Sequence, residues 1–424
     1  MTVSAAVVTR LGHDSVTWGY DVVVNLSTGG TVSRINTGAD RCPQEKLQWY
    51  GEETALRRVQ MPVRGMTVVA GLVAVGLVLA GCGTKPTSSG SGSSTSNSGS
   101  GGTSSFNACM VTDTGGIDDR SFNASAWAGM QAAKNKGKAS VKYVQSNTEN
   151  DYVPNITAFT KQNCNLIVTV GGLMGPATTN ASTANPSQHF AIVDSAGNGT
   201  NVQGLQFNTA QAGFLAGYLA AGYSKTGKVA TFGGQKIAPV TIYMDGYWEG
   251  VQYYNSKNGK NVAVLGWDEK SQNGSFTNSF TDQTQGTQLA NNFINQGADV
   301  IFPVAGSSGL GGVAAASSSG GKANAIWVDT DGCTSAPQYC NVFLSTAFKN
   351  VDNAVENSVE QASGGTFATK DYIGTLANGG VGLAPYHQFA SKIPQALQDQ
   401  IKQLQQDIIS GKITITSPSQ PKSS

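Results

Sequence analysis

From residue 106 onward, short apolar runs rich in β-branched residues alternate with longer amphipathic stretches. The runs at 108–112, 141–145, 166–170, 190–193, 229–232, 262–266, 300–304, 325–328 and 342–345 read as strands. Several are continuously apolar rather than alternating, as expected of strands covered on both faces of a parallel sheet. The stretches between them read as helices. Ser121 is placed as the N-cap of a helix that buries Trp127 and Met130 and closes at Gly137; Leu289 and Phe293 share one face of another, ended by Gly297. Lys349 opens a helix striped by Val351, Val355, Val359 and Ala362, and Leu397, Ile401, Leu404 and Ile408 line a C-terminal helix stopped by Gly411. This alternation predicts an α/β protein. The number of strands fits two doubly wound parallel-sheet lobes, the first over 106–227 and the second over 228–345, with 346–424 divided between them so that several hinge strands join the lobes.

Upstream of this body the pattern changes. Residues 66–80 are apolar and follow Arg57, Arg58 and Arg64, a basic region leading into a hydrophobic one. The run is short for a membrane span, which needs about 20 apolar residues. It ends at Leu79-Ala80-Gly81-Cys82, which resembles the lipobox of bacterial lipoproteins. The resemblance implies that 61–81 is a signal peptide and that Cys82 becomes a lipidated N-terminus, anchoring the chain on the extracytoplasmic face of the cell membrane. Residues 82–105, nearly all Gly, Ser, Thr and Asn after the cysteine, then read as a flexible tether. Residues 1–60 show no sustained apolar period and read as an upstream extension, with Met61 expected as the initiator.

Composition narrows the class of partner. Lys plus Arg total 27 against 26 for Asp plus Glu, so there is no global field to hold nucleic acid, and a small molecule is the expected ligand. A hydrophobic content of 39% excludes disorder of the whole chain. The three histidines, at 13, 189 and 387, follow no strand end in a nucleophile–base arrangement, which argues against a hydrolase. Asp118 and Asp119 could form a metal pair or an acid–base dyad, but they fit better as turn residues favourable near a helix N-terminus. The glycines from 306 to 312 are followed by no Gly-Lys-Ser/Thr, so a phosphate-binding loop is not indicated. No enzyme activity, metal or cofactor is expected.

Ligands of open parallel sheets bind beyond the carboxyl ends of the strands. Those ends carry Asp113 to Asn123, Asp194-Ser195, Ala305 to Gly309, Asp329-Thr330-Asp331 and Ser345 to Lys349. Carboxylates that accept from hydroxyls, and glycines that let the backbone approach, suit a neutral polyhydroxylated ligand. Phe122 and Phe280, from opposite lobes, could stack on the two faces of a flat ring. Tyr243, Tyr247 and Trp248 are weaker candidates for the same wall.

At these residues the chain resembles the basic membrane protein family of ABC-transporter substrate-binding lipoproteins, whose best-known members are purine nucleoside receptors. The resemblance rests on Val111-Thr112-Asp113-Thr114-Gly115-Gly116-Ile117-Asp118-Asp119-Arg120-Ser121-Phe122-Asn123, on Phe-Pro-Val-Ala-Gly at 302–306, and on Gly379-Gly380-Val381-Gly382-Leu383-Ala384-Pro385. It covers nearly all of 106–415 and implies a type I periplasmic-binding-protein fold, a monomer that closes on its ligand and docks on a permease served by an ATPase. It further implies that Phe122 and Phe280 stack on a base, that Asp194 hydrogen-bonds it, that Asn123 and Gly306 are pocket contacts, and that Asp329 and Lys349 contact the ribose. Arg120 stands where the family pattern has Lys, at a rim position expected to matter little. Capture of a nucleoside for import is the leading expectation; a sensor of the same fold, or a binder of a sugar or riboflavin, is the alternative. In this fold Cys109 and Cys164 begin neighbouring strands and Cys333 and Cys340 bracket one loop, so disulfides 109–164 and 333–340 are expected. A zinc site is the rival reading, disfavoured because no close CxxC pair occurs.

Overall fold

A computed structural model of the chain describes residues 3–8, 21–26 and 105–421. The apolar run at 66–80, Cys82 and all but the last residue of the tether lie outside the described residues. Strands β1 (Val3–Val8) and β2 (Asp21–Leu26) pair antiparallel, a local element absent from the sequence expectations for 1–60.

The body begins with β3 (Asn107–Thr112), α1 (Phe122–Asn135), β4 (Ser140–Val144), α2 (Tyr152–Lys161), β5 (Leu166–Val170), α3 (Gly175–Ala184), β6 (His189–Val193) and β7 (Val202–Phe207). It crosses through α4 (Ala210–Tyr223) into β8 (Lys228–Gly233), α5 (Ala238–Asn258) and β9 (Ala263–Leu265), followed by the short pair β10 (Trp267–Asp268) and β11 (Asn273–Gly274). Next come α6 (Gln283–Asn295), β12 (Val300–Val304), α7 (Gly306–Ser317), β13 (Asn324–Asp329), α8 (Gly332–Ser335) and β14 (Phe343–Lys349). Helix α9 (Val351–Ser363), β15 (Tyr372–Gly374), β16 (Val381–Leu383) and α10 (Gln395–Ile409) complete it.

Two six-stranded sheets result, in the orders β15-β7-β6-β5-β3-β4 and β16-β14-β13-β12-β8-β9. All neighbours are parallel except β16, which runs antiparallel to β14. The two orders correspond strand for strand, so the body is two doubly wound lobes of the same design. Every residue of β5 and β12 is buried, which explains why these runs are continuously apolar.

Three elements escaped the hydrophobic pattern. Strand β7 carries Gln203 and Gln206, yet is buried throughout because Ser358 Oγ donates to Gln203 Oε1 at 2.7 Å and Gln206 Nε2 donates to Asp371 Oδ2 at 2.9 Å. Helix α4 is buried on nearly every side and therefore has no apolar stripe to read. Strand β14 runs on past Ser345, so Lys349 is its last residue rather than a helix opener, and α9 starts at Val351.

The crossing helices are exchanged between lobes. Helix α4 leaves the first sheet but packs on α5 beside the second, while α9 leaves the second sheet and packs on α1 beside the first. The α4–α5 approach is close enough that a Cβ on Gly217 would strike the Tyr247 carbonyl and one on Gly250 the Phe214 carbonyl. One continuous core joins residues of both lobes, from Met110 and Val168 to Val300 and Ile326. Among the described residues no helix is long and apolar enough to cross a membrane.

Cys109 and Cys164 are bonded, with Cα atoms 6.0 Å apart, and so are Cys333 and Cys340, at 4.6 Å. This removes the zinc alternative. Cys333 lies beside Asp331 and His387, but its sulfur is committed to the bridge, leaving His387 Nε2 paired with Asp331 Oδ2 at 2.7 Å. The 109–164 bridge closes a separation of 55 residues, so reducing it is expected to cost about 4 kcal/mol by loop entropy. Thiol titration in denaturant should find none of these four sulfurs free before reduction, and the denaturation midpoint should drop after it.

Candidate functional site

The carboxyl ends of both sheets face one cleft. Its walls are Asp113, Gly115, Asp119, Phe122 and Asn123 from the loop after β3 and the start of α1, Gly171 and Gly172 after β5, and Asp194 after β6. The other lobe supplies Ile237, Pro239, Val240 and Tyr243 around the start of α5, Phe280 before α6, Val304 to Gly306 after β12, Val328 and Asp329 from β13, and Lys349 from β14. The cleft encloses about 520 Å³ of space, including the open solvent at its mouth. All seven residues expected at the ligand, Phe122, Asn123, Asp194, Phe280, Gly306, Asp329 and Lys349, line it together. Of the weaker aromatic candidates only Tyr243 does; Tyr247 is fully buried and stacks on Phe302 with centroids 4.9 Å apart, and Trp248 lies outside the cleft with Lys270 near its ring.

Lys349 occupies the centre. Its ammonium lies 2.7 Å from Asp194 Oδ2 of the opposite lobe, 3.6 Å from Asp329 Oδ1, and 4.4 Å from the centroid of the Phe122 ring. Burial draws the ammonium pKa down, but the charges and hydrogen bonds of Asp194 and Asp329 outweigh that and hold it above the usual lysine value. Asp194 and Asp329 occupy corresponding places, just after β6 and at the end of β13, and both adopt a left-handed backbone with φ of 65°. Such a conformation costs a non-glycine residue about 1–3 kcal/mol and persists where the surroundings over-determine it. Here the two sheets hold it in duplicate, turning one carboxylate from each lobe onto a single cation. Tyr243 steadies Asp329, its single hydroxyl hydrogen facing both Asp329 Oδ1 at 3.2 Å and the Ala347 carbonyl at 3.3 Å.

The loop after β3 corrects the expected N-cap. Ser121 occupies the cap position of α1 but makes no side-chain capping bond. Asp119 does that work from two residues upstream, accepting the backbone N–H groups of Ser121, Asn123 and Ala124 at 2.8–3.0 Å. The turn-residue reading of Asp119 therefore holds; the strand-end reading had already set Asp113 to Asn123 at the ligand edge, but the hydrogen bonds of Asp113 and Asp119 to Asn123 were not anticipated. Arg120, with φ of 60°, reaches the rim, where its guanidinium donates to the Ser335 carbonyl of the other lobe at 3.4 Å.

Burial pushes the Asp113 carboxyl up to about 6 and the Asp119 carboxyl up to about 7, although hydrogen bonds from Asn123 and neighbouring backbone groups pull both down. A buried acid whose folded pKa is raised binds its proton more tightly in the folded state, so its contribution to stability is full below its unfolded value near 3.8 and is lost as pH climbs through 6. Denaturation of the ligand-free protein across pH 4 to 8 should therefore reveal a loss of about 2–3 kcal/mol from Asp113. In Asp113→Asn that part of the pH slope should vanish; identical slopes in both proteins would refute it.

Comparison with known proteins identifies the family. Residues 106–419 match the Bmp family model, described as ABC transporter substrate-binding protein PnrA-like. A CD4+ T-cell-stimulating antigen of Listeria monocytogenes is 32% identical over 81% of this chain and 96% of its own length. The ABC transporter nucleoside-binding protein BmpA of Lactococcus lactis is 29% identical, covering 84% of this chain and 100% of its own. Among solved structures, an ABC transporter solute-binding protein of Aeropyrum pernix superposes with a TM-score of 0.67 at 24% identity, over 74% of this chain and 94% of that one. A second, from Conexibacter woesei, gives 0.57 at 22% identity over 74% and 99%. These two carry the fold, the type I periplasmic-binding-protein arrangement of two lobes. The chain belongs to the Bmp family of PnrA-like proteins and is a substrate-binding component of an ABC transporter, not an enzyme.

Proposed function

We propose that this protein captures a nucleoside, a purine nucleoside first among them, in the cleft between its lobes and delivers it to a membrane permease driven by an ATPase. The observation that carries the reading is the pairing of Phe122 and Phe280. They come from opposite lobes, line one cleft and are half-buried, which leaves ring surface for a flat ligand. Beside them stand polar groups suited to a sugar: Asp329 can accept from vicinal hydroxyls and Lys349 can donate to ring or hydroxyl oxygens. The relative from Lactococcus lactis is named as nucleoside-binding, which supports the same ligand class. Binding shifts the lobes toward the closed form, because contacts from both walls are complete only there.

In this reading Cys82 carries the lipid that holds the monomeric receptor at the outer face of the membrane, and 82–105 is the slack that lets it reach its permease. Residues 106–227 and 228–345, each completed by part of 346–424, are the lobes that move.

A thermal-shift screen of purine and pyrimidine nucleosides, free bases, riboflavin and simple sugars tests the ligand. A true ligand at 100 times its dissociation constant stabilises the fold by about 2.7 kcal/mol. Nucleosides should raise the midpoint most, and Asp329→Ala should weaken nucleosides more than free bases. A response to sugars or riboflavin alone would overturn the reading.

A further inference from the structure

A second cavity adjoins the cleft and shares Asp194 and Pro239 with it. It encloses about 780 Å³ of space, including the open solvent at its mouth. The first lobe gives it Ser195, Ala196 and Phe207, the start of α5 gives it Ala238 and Ile242, and residues 418–421, from the tail after α10, form its third wall. That tail is fastened in place. Thr241, Asp245 and Glu249, spaced four apart along one face of α5, each hold it: Thr241 Oγ1 lies 2.8 Å from Ser419 Oγ, Ser417 Oγ donates to Asp245 Oδ2, and Thr416 Oγ1 donates to Glu249 Oε1 at 2.7 Å. Asp245 is fully buried and also accepts from Trp267 Nε1 at 3.0 Å and from Gln272 Nε2 at 2.8 Å, so the wall rests on a fixed support.

The partition between the two spaces is thin. A Cβ on Gly172, in the cleft wall, would lie 3.0 Å from the Asp194 carbonyl oxygen and 3.2 Å from Pro239 Cγ, so the first lobe meets Pro239 here with room only for a glycine. Asp194 and Pro239 come from different lobes, and the partition therefore divides when the lobes part. Asp194 is the only charged residue among those lining the second cavity, whose other walls are apolar at Phe207, Ile242 and the prolines and neutral elsewhere. We propose that this cavity is a subsite for a neutral substituent carried on the edge of the base, so that the receptor accepts nucleosides extended at an exocyclic amine as well as unmodified ones. The inference rests on the nucleoside reading, with Asp194 at the base edge, and adds to it a class of substrate. A singly substituted exocyclic amine keeps one N–H for the Asp194 carboxylate while its substituent passes into the space beyond.

The test compares adenosine with adenosine bearing a benzyl group on its exocyclic amine, by titration calorimetry. The two should bind the unaltered protein within about threefold of each other, whereas a benzyl group without a cavity of its own would be forced against the cleft walls and lose about 5- to 150-fold. Ala196→Trp and Ala238→Trp fill the second cavity from opposite lobes; both positions are exposed, and neither lines the cleft. In each variant the benzyl analogue should weaken by at least about tenfold while adenosine binds as before, which also reports that the variant is folded. A benzyl analogue that binds the unaltered protein far more weakly than adenosine, or that binds well and is indifferent to both tryptophans, would overturn the subsite and leave nucleoside binding intact. Failure of adenosine and every other nucleoside to bind the unaltered protein would overturn both.

Discussion

Replacing Lys349 with methionine should destabilise the ligand-free protein by about 3–5 kcal/mol at pH 7, the cost expected when one partner of a buried ion pair is removed. Methionine fills most of the lysine volume, so the loss comes from charge. Asp194 and Asp329 would be left facing each other across the cleft without the ammonium that now lies 2.7 and 3.6 Å from them. Two further results follow from that cause. The deficit should shrink toward pH 5, because burial raises the pKa of the Asp194 carboxyl and its protonation relieves the unpaired charge, and the added change Asp194→Asn should restore part of the stability at pH 7. Chemical denaturation of the single and double variants at both pH values measures this; a deficit independent of pH and unrelieved by Asp194→Asn would mean that packing, not charge, is what Lys349 contributes.

The second large effect concerns the aromatic pair. Phe122→Ala and Phe280→Ala should each weaken nucleoside binding by about 5- to 150-fold, the range corresponding to roughly 1–3 kcal/mol per stacked base. Both rings are only half-buried and pack at the edge of the core, so the variants should remain folded. The two are not equivalent. Lys349 sits over the Phe122 ring, so a ring stacking there must share or displace the ammonium, while no cation–π partner is found for Phe280 among the described residues. Phe122→Ala should therefore also alter the salt dependence of binding, and Phe280→Ala should not. Calorimetric affinities unchanged in both variants for every nucleoside would end the stacking assignment.

Much of this site could be read from the chain because of one regularity: a parallel sheet delivers whatever follows each strand to the same edge. Strands with continuous apolar runs were visible, and their trailing residues, Asp194, Gly306, Asp329 and Phe122 among them, meet in one cleft. What was hidden depended on partners distant in sequence. Strand β7 was obscured because its glutamines look exposed until Ser358 and Asp371 arrive to satisfy them. Helix α4 was obscured because it is apolar all round. The second bond of Asp119 was obscured because an aspartate near a helix start is usually a cap; Asp119 is one, and only the fold reveals that it also accepts from the Asn123 amide, together with Asp113. The roles of Lys349 and Tyr243 required knowing that β14 extends to residue 349 and that α5 lies against its end.

The exchanged crossing helices bear on how the molecule is made. The first sheet is closed at its edge by β15, whose neighbour Asp371 grips Gln206 across 165 residues of chain, and it is covered by α9, which follows the last long strand of the other lobe. A chain emerging from its N-terminus therefore cannot finish its first half until almost all of its second half has appeared. The earliest segments therefore wait without their closing partners, and the first lobe is completed only together with the second.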